Sequence, residues 1–160
     1  MDQPIVVEGL HALNNSLTYM LPRYEKVKIS LGVLTQIRIN DHNRISTSDT
    51  RIIRRMVRDQ QFRDRGPTAT MEIWSDVRRG EETNIYPYQE DADTIFNTAL
   101  PYELSVLKPY AEPLLKSITK DSPHYAEAQR LLKFLMPFRA LKSSVVPPNS
   151  LLREFIGKEG

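Results

Sequence analysis

The chain has 160 residues, enough for one compact domain with its own core. Charged residues make up 26% and hydrophobic ones 40%, an ordinary globular balance, and a net charge of +2 points to no particular partner. The absence of cysteine excludes disulfides, zinc–thiolate sites and a cysteine nucleophile, and is compatible with the reducing, cytoplasmic setting expected for the chain. No apolar run approaches the roughly 20 residues that span a bilayer. Met1-Asp2-Gln3-Pro4 has no basic stretch leading into an apolar one, so neither a membrane anchor nor a signal peptide is expected.

In chain order, Pro4 to Gly9 reads as a short buried parallel strand, because Ile5-Val6-Val7 is β-branched and shows no polar alternation. A chain that enters almost at once on such a strand is expected to have further elements before it, since a lone strand leaves its backbone groups unpaired. Glu8 would end this strand, at the edge where open α/β sheets bind ligands. Asn14-Asn15-Ser16 suits the cap of a short helix before Pro22, and Lys26 to Leu31 alternates as a second strand. Residues 40–50 are polar and loop-like, with Ser48 the expected N-cap of a helix from about Asp49 to Phe62. Gly66-Pro67 breaks that helix, and a second one is expected to run to about Asn84, burying Met71, Ile73, Trp74 and Val77. Tyr86-Pro87-Tyr88 ends it, and Ala92 to Phe96 reads as a third strand. Pro101 opens a helix whose Leu104, Leu107, Ala111, Leu114, Leu115 and Ile118 form one stripe, with Pro113 implying a kink or a break. Ser122-Pro123 opens another helix, with Ala128, Leu131, Leu132 and Leu135 inward. After Pro147-Pro148 a last short helix, Leu151 to Ile156, is closed by Gly157.

The helix from Asp49 carries the clearest chemical signal. Residues 38–65 hold eight arginines: Arg38, Arg44, Arg51, Arg54, Arg55, Arg58, Arg63 and Arg65. At about 100° per residue, Arg51, Arg54, Arg55 and Arg58 fall within a stripe about 100° wide, opposite Ile52, Ile53, Met56 and Val57. A solvated charged face normally interleaves glutamate and lysine at i,i+4, and this helix contains neither. Arginine's planar fork grips phosphate oxygens in pairs, so the stripe is expected to bind anions.

Val6-Val7-Glu8-Gly9-Leu10, Asp49-Thr50-Arg51-Ile52-Ile53-Arg54-Arg55-Met56-Val57-Arg58-Asp59 and Arg63-Asp64-Arg65-Gly66, in that order, resemble the uridine kinase / phosphoribulokinase family of P-loop kinases. Ala92-Asp93-Thr94-Ile95-Phe96 is similar to the family's closing strand. The segments Arg78-Arg79-Gly80-Glu81 to Pro87 and Pro148 to Gly157 resemble bacterial uridine-kinase-like nucleoside kinases. The resemblance implies an α/β chain, helix-rich with a few parallel strands, forming the C-terminal half of a P-loop NTPase domain. Residues 1–47 would be the strand region, 48–90 the arginine-rich lid, and 91–160 the closing strand and C-terminal helices. It implies ATP and Mg2+ as cofactors and transfer of the γ-phosphate to a nucleoside hydroxyl. Residue by residue, Glu8 matches a magnesium-holding acid, Arg55 an arginine that reaches the nucleoside sugar, and Arg58, Arg63 and Arg65 lid arginines over the phosphates. Arg51 and Arg54 are expected to help hold the nucleotide.

The departures are equally specific. No pair among glycines 9, 32, 66, 80, 157 and 160 fits Gly-x-x-x-x-Gly-Lys-Ser/Thr, so the chain is expected to be inactive alone. The stretch from about Thr35 to Thr47 is longer than the matching connection in compact uridine kinases. The alternative is a non-catalytic module that binds anions or a partner chain; nucleic-acid binding through the stripe ranks third. His11, His42 and His124 have no clustered spacing for a metal site. Tyr86, Tyr88 and Tyr102 are expected to pack, and Glu81 and Glu82 to be surface charges. Self-association is expected, because missing sheet neighbours would leave the first strand bare.

Overall fold

A computed structural model describes residues 3–35, 38–40 and 43–157; His42 and the side chains of Arg38 and Arg44 lie outside the described part. In chain order its elements are β1 (Ile29–Gly32), β2 (Arg38–Asn40), β3 (Asn43–Arg44), α1 (Thr47–Phe62), α2 (Pro67–Glu72), α3 (Trp74–Asn84), α4 (Tyr86–Gln89), β4 (Thr94–Asn97), α5 (Glu103–Lys116), α6 (Tyr125–Leu135) and α7 (Arg153–Ile156). Short 3-10 turns lie at Asn15–Thr18, Arg23–Glu25 and Ser143–Val145. The chain is thus mixed α/β and helix-rich, with one parallel strand pair among the described residues. It divides into two compact units, residues 1–32 with 75–97, and residues 33–74 with 98–160.

The first unit holds β1 and β4, paired parallel with Ile29 opposite Thr94 and Gly32 opposite Asn97. Asp93 fastens their entry. Its carboxylate accepts from the Lys28 N–H at 2.7 Å and from Arg23, while its own N–H donates to the Lys28 carbonyl. The Asn14 side chain accepts from Ser16 N–H and caps a 3-10 turn where a short helix is expected. The strand expected at Pro4–Gly9 does not form, and Ile5, Val6 and Val7 are 89%, 85% and 63% exposed. A β-branched run is a strand only where neighbours supply its hydrogen bonds, and none of the described strands pairs with it.

The second unit is built on α1, which packs against α2, α5 and α7, while α5 also packs against α6. Its core joins Ile53, Met56 and Val57 of α1 to Leu107, Ala111 and Leu115 of α5, Leu131 and Leu135 of α6, and Leu152. Ser46, not Ser48, caps α1, because its hydroxyl accepts from the Asp49 N–H at 3.2 Å, in the spacing of a capping box. The polar stretch before it is not all loop, since β2 and β3 form an antiparallel ribbon there. The single helix expected from Pro67 to Asn84 is broken at Ile73 into α2 and α3. Trp74 and Ile73 are half-buried, and Glu81, expected at the surface, is buried and accepts from the Tyr86 hydroxyl.

Helix α5 runs through both Pro109 and Pro113 without a break. Proline lacks the N–H that would bond the carbonyl four residues back. At Pro109 the freed acceptor is Ser105 O, and it takes the Leu141 N–H instead at 2.9 Å. Lys108, beside Pro109, donates through Nζ to the carbonyls of Met136 and Phe138. The sequence after α6 is thereby stitched to the middle of α5.

Candidate functional site

The arginines of α1 do not share one environment. With Arg51 at zero on the helical wheel, Arg54 lies at about 300° and Asp59 at about 80°. The buried arc takes in both of these margins as well as the apolar residues between them. Arg54 is therefore not on the open face, as the stripe led one to expect. It is 6% exposed, donates from Nε to Glu103 at 3.0 Å and from Nη2 to Glu103 and the Thr98 carbonyl, and lies 5.2 Å from the centre of the Phe155 ring. Burial raises the Glu103 carboxyl above its ordinary value, against the pull of Arg54. This group ties α1 to α5 and α7, with no face left for a nucleotide. Arg51 is half-buried and already engaged within the chain.

Arg55, Arg58 and Arg63 instead converge on one carboxylate. Asp59 is fully buried, with Arg55 Nε at 3.3 Å, Arg58 Nε at 3.9 Å and Arg63 Nη1 at 3.3 Å. Arg58 Nη1 also stands 3.6 Å from Glu154 of α7. Arg65 belongs to the same field. Burial lowers Arg55 from its ordinary value, Asp59 opposes that, and Arg58, Arg63 and Arg65 each lower it further. Three guanidinium groups thus face two carboxylates, which leaves one positive charge in excess before Arg65 is counted. Among the described residues, neither Asp59 oxygen has a hydrogen-bond partner, nor do the buried Nε atoms of Arg55 and Arg58. Arg63 is about half exposed, so the cluster opens to solvent.

The turn after α1 brings the last two arginines back. The N–H groups of Arg63 and Arg65 both donate to the Asp59 carbonyl at 3.1 Å, and Asp64 adopts φ 47° to close the reversal. Left-handed backbone is open mainly to glycine, asparagine and aspartate. Asp59 is the residue that sequence reasoning passed over. Its signal was present, a lone acid four residues after Arg55 and four before Arg63.

Glu8 is exposed and stands on no strand. His11 is exposed beside it. No group of three or more histidine, aspartate or glutamate side chains suited to a metal occurs among the described residues. At the other end of α1, Arg130 of α6 grips Asp49 with both terminal nitrogens, at 2.8 and 2.6 Å, and also bonds Glu127. The bonds to Glu127 and then to Asp49 raise Arg130 above the ordinary arginine value, and together they occupy its fork. An open, mostly apolar cavity of about 400 Å³ is lined by Pro109, Tyr110 and residues 140–144, and none of the α1 arginines contributes to it. No described helix is long and apolar enough to cross a membrane. No family model, curated protein or solved structure matches the chain.

Proposed function

We propose that the chain is the lid-bearing part of an ATP-dependent kinase that transfers the γ-phosphate to a hydroxyl of a nucleoside of the uridine or cytidine type. Arg58, Arg63 and Arg65 would clasp the phosphates, with Arg55 beside them toward the nucleoside. The observation that carries this reading is the convergence of three guanidiniums, Arg55, Arg58 and Arg63, on one buried carboxylate, with Arg65 following at the helix end. Gathered like charges repel unless an anion joins them, and planar forks match phosphate oxygens. Phosphoryl transfer is catalysed largely by positioning and by neutralising charge on the transferred group, which such a cluster supplies.

Mg2+ is commonly held by one or two carboxylates together with substrate phosphates. Glu8 is the carboxylate that the resemblance offers, and on its exposed segment it makes no site by itself. The chain has no Gly-x-x-x-x-Gly-Lys-Ser/Thr loop, so the phosphate cradle would come from sequence outside these residues. One observation favours a second reading, a non-catalytic phosphate-binding module: residues 4–9 do not form the strand that would present Glu8.

Calorimetric titration with ATP and magnesium should show binding. Arg58→Ala should weaken it about tenfold, since a hydrogen bond to a charged group is worth about 1.5–3 kcal/mol, with little change in Tm. Turnover with uridine or cytidine should be absent for the chain alone, and should appear when a polypeptide bearing the glycine-rich loop is joined to it. Binding without turnover in the joined protein favours the module. Absence of ATP binding overturns both readings.

A further inference from the structure

We infer that Asp59 is the positioning residue of the arginine cluster: its buried carboxylate and its main-chain carbonyl together gather Arg55, Arg58, Arg63 and Arg65 so that they take a polyphosphate as one unit. The inference rests on the phosphate-binding reading above. A buried carboxylate ordinarily collects hydrogen bonds, because a desolvated charge without partners is costly. Asp59 is 0% exposed, and among the described residues neither of its oxygens has a hydrogen-bond partner. Its company is three guanidiniums within 3.9 Å. The carboxylate is therefore matched by opposite charge and not by N–H groups fitted to it.

Asp59 meets Arg55 and Arg58 at Nε, the inner nitrogen. The Arg55 side chain is still 20% exposed, so this contact does not close it off from solvent. The other half of the device is the main chain. The Asp59 carbonyl accepts from the N–H groups of Arg63 and Arg65, and the reversal at Asp64 keeps both residues at the helix end. One residue thus holds arginines four and one positions before it, and four and six after it.

A competing role for the same carboxylate is that of a built-in counterion that weakens anion binding. The two roles predict opposite signs. By Coulomb attraction alone, Asp59→Asn adds one net positive charge and tightens anion binding. As a positioning residue, its loss lets four like charges spread apart, and anion binding weakens.

The probe is inorganic pyrophosphate, titrated into the wild-type chain and into Asp59→Asn, which keeps the shape and the main-chain cap. The expected result is wild-type binding weakened about tenfold or more in the variant, with Arg63→Ala weakened less. Wild-type binding that is equal or tighter in Asp59→Asn overturns the inference and leaves phosphate binding standing. No wild-type binding overturns the phosphate-binding reading itself. Should Asp59→Asn fail to fold, 15N NMR of the wild-type arginine Nε–H groups decides. Arg55 and Arg58 should give separate signals that exchange with water more slowly than exposed Arg79. Signals that average and exchange like those of Arg79 overturn the inference.

Discussion

Arg54 and Arg55 are neighbours in sequence and opposites in consequence. Arg54 is desolvated against Glu103, and a buried pair broken on one side leaves an uncompensated charge worth about 3–5 kcal/mol. Arg54→Ala should therefore destabilise the chain by about that much near neutral pH, measured by urea unfolding. The cost should shrink in acid, where Glu103 is protonated. Burial raises the folded Glu103 carboxyl above its ordinary value of 4.5, so the folded state holds that proton more tightly than the unfolded chain does. Stability from this group is fully present below the ordinary value and is lost as pH rises through the raised one. Glu103→Gln should remove that part of the pH dependence. A cost for Arg54→Ala that is the same at mildly acid and neutral pH would show that Glu103 is not the group left bare. The wheel placed Arg54 on the arginine stripe but could not show that Glu103, Thr98 and Phe155, from distant parts of the chain, would claim it. Asp59 was hidden for the converse reason: amid arginines its acid reads as a minor offset until burial is known.

At the level of elements, Pro109 makes α5 an anchor. Its missing N–H releases Ser105 O to the Leu141 N–H, and the segment after α6 is held by that bond and by Lys108. Pro109→Ala would restore an intrahelical donor in competition with Leu141. Helix content should stay the same or rise, since alanine is about 3 kcal/mol better than proline in a helix interior. Hydrogen exchange at the Leu141 amide should speed up at least severalfold. Unchanged protection of that amide would show that the loop is held without Pro109. Helices α1, α5 and α6 were legible in the sequence, because their apolar residues recur at helical spacing and each faces the shared core. The paired strands β1 and β4 were legible too, to within three residues at each end. The strand expected at Pro4–Gly9 was not, since β-branched composition sets a propensity while pairing needs a neighbour. The break at Ile73 was also out of reach, because nothing between Pro67 and Asn84 signals a helix end until Gly80.

On the scale of the whole molecule, β1 and β4 form the only parallel pair among the described residues. Parallel strands are found in sheets covered on both faces. Here Ile29, Leu31, Ile95 and Phe96 are 53%, 67%, 58% and 63% exposed, and every residue of β4 is open. A two-stranded sheet also has two outer edges able to accept further strands. Larger exposed apolar patches mark surfaces that meet another chain, and closed two-fold dimers are the commonest outcome when the only partner present is a second copy. The chain is therefore expected to self-associate at micromolar concentration through this sheet. Sedimentation velocity should give a mass above 18.5 kDa that falls on dilution. Leu31→Lys combined with Phe96→Lys should return it to the monomer, because both side chains are open and their replacement places charge in the contact without disturbing a core. A double variant that still associates would move the contact elsewhere. A wild-type chain that stays monomeric throughout would show that two parallel strands with exposed Ile29, Leu31, Ile95 and Phe96 can stand without a partner.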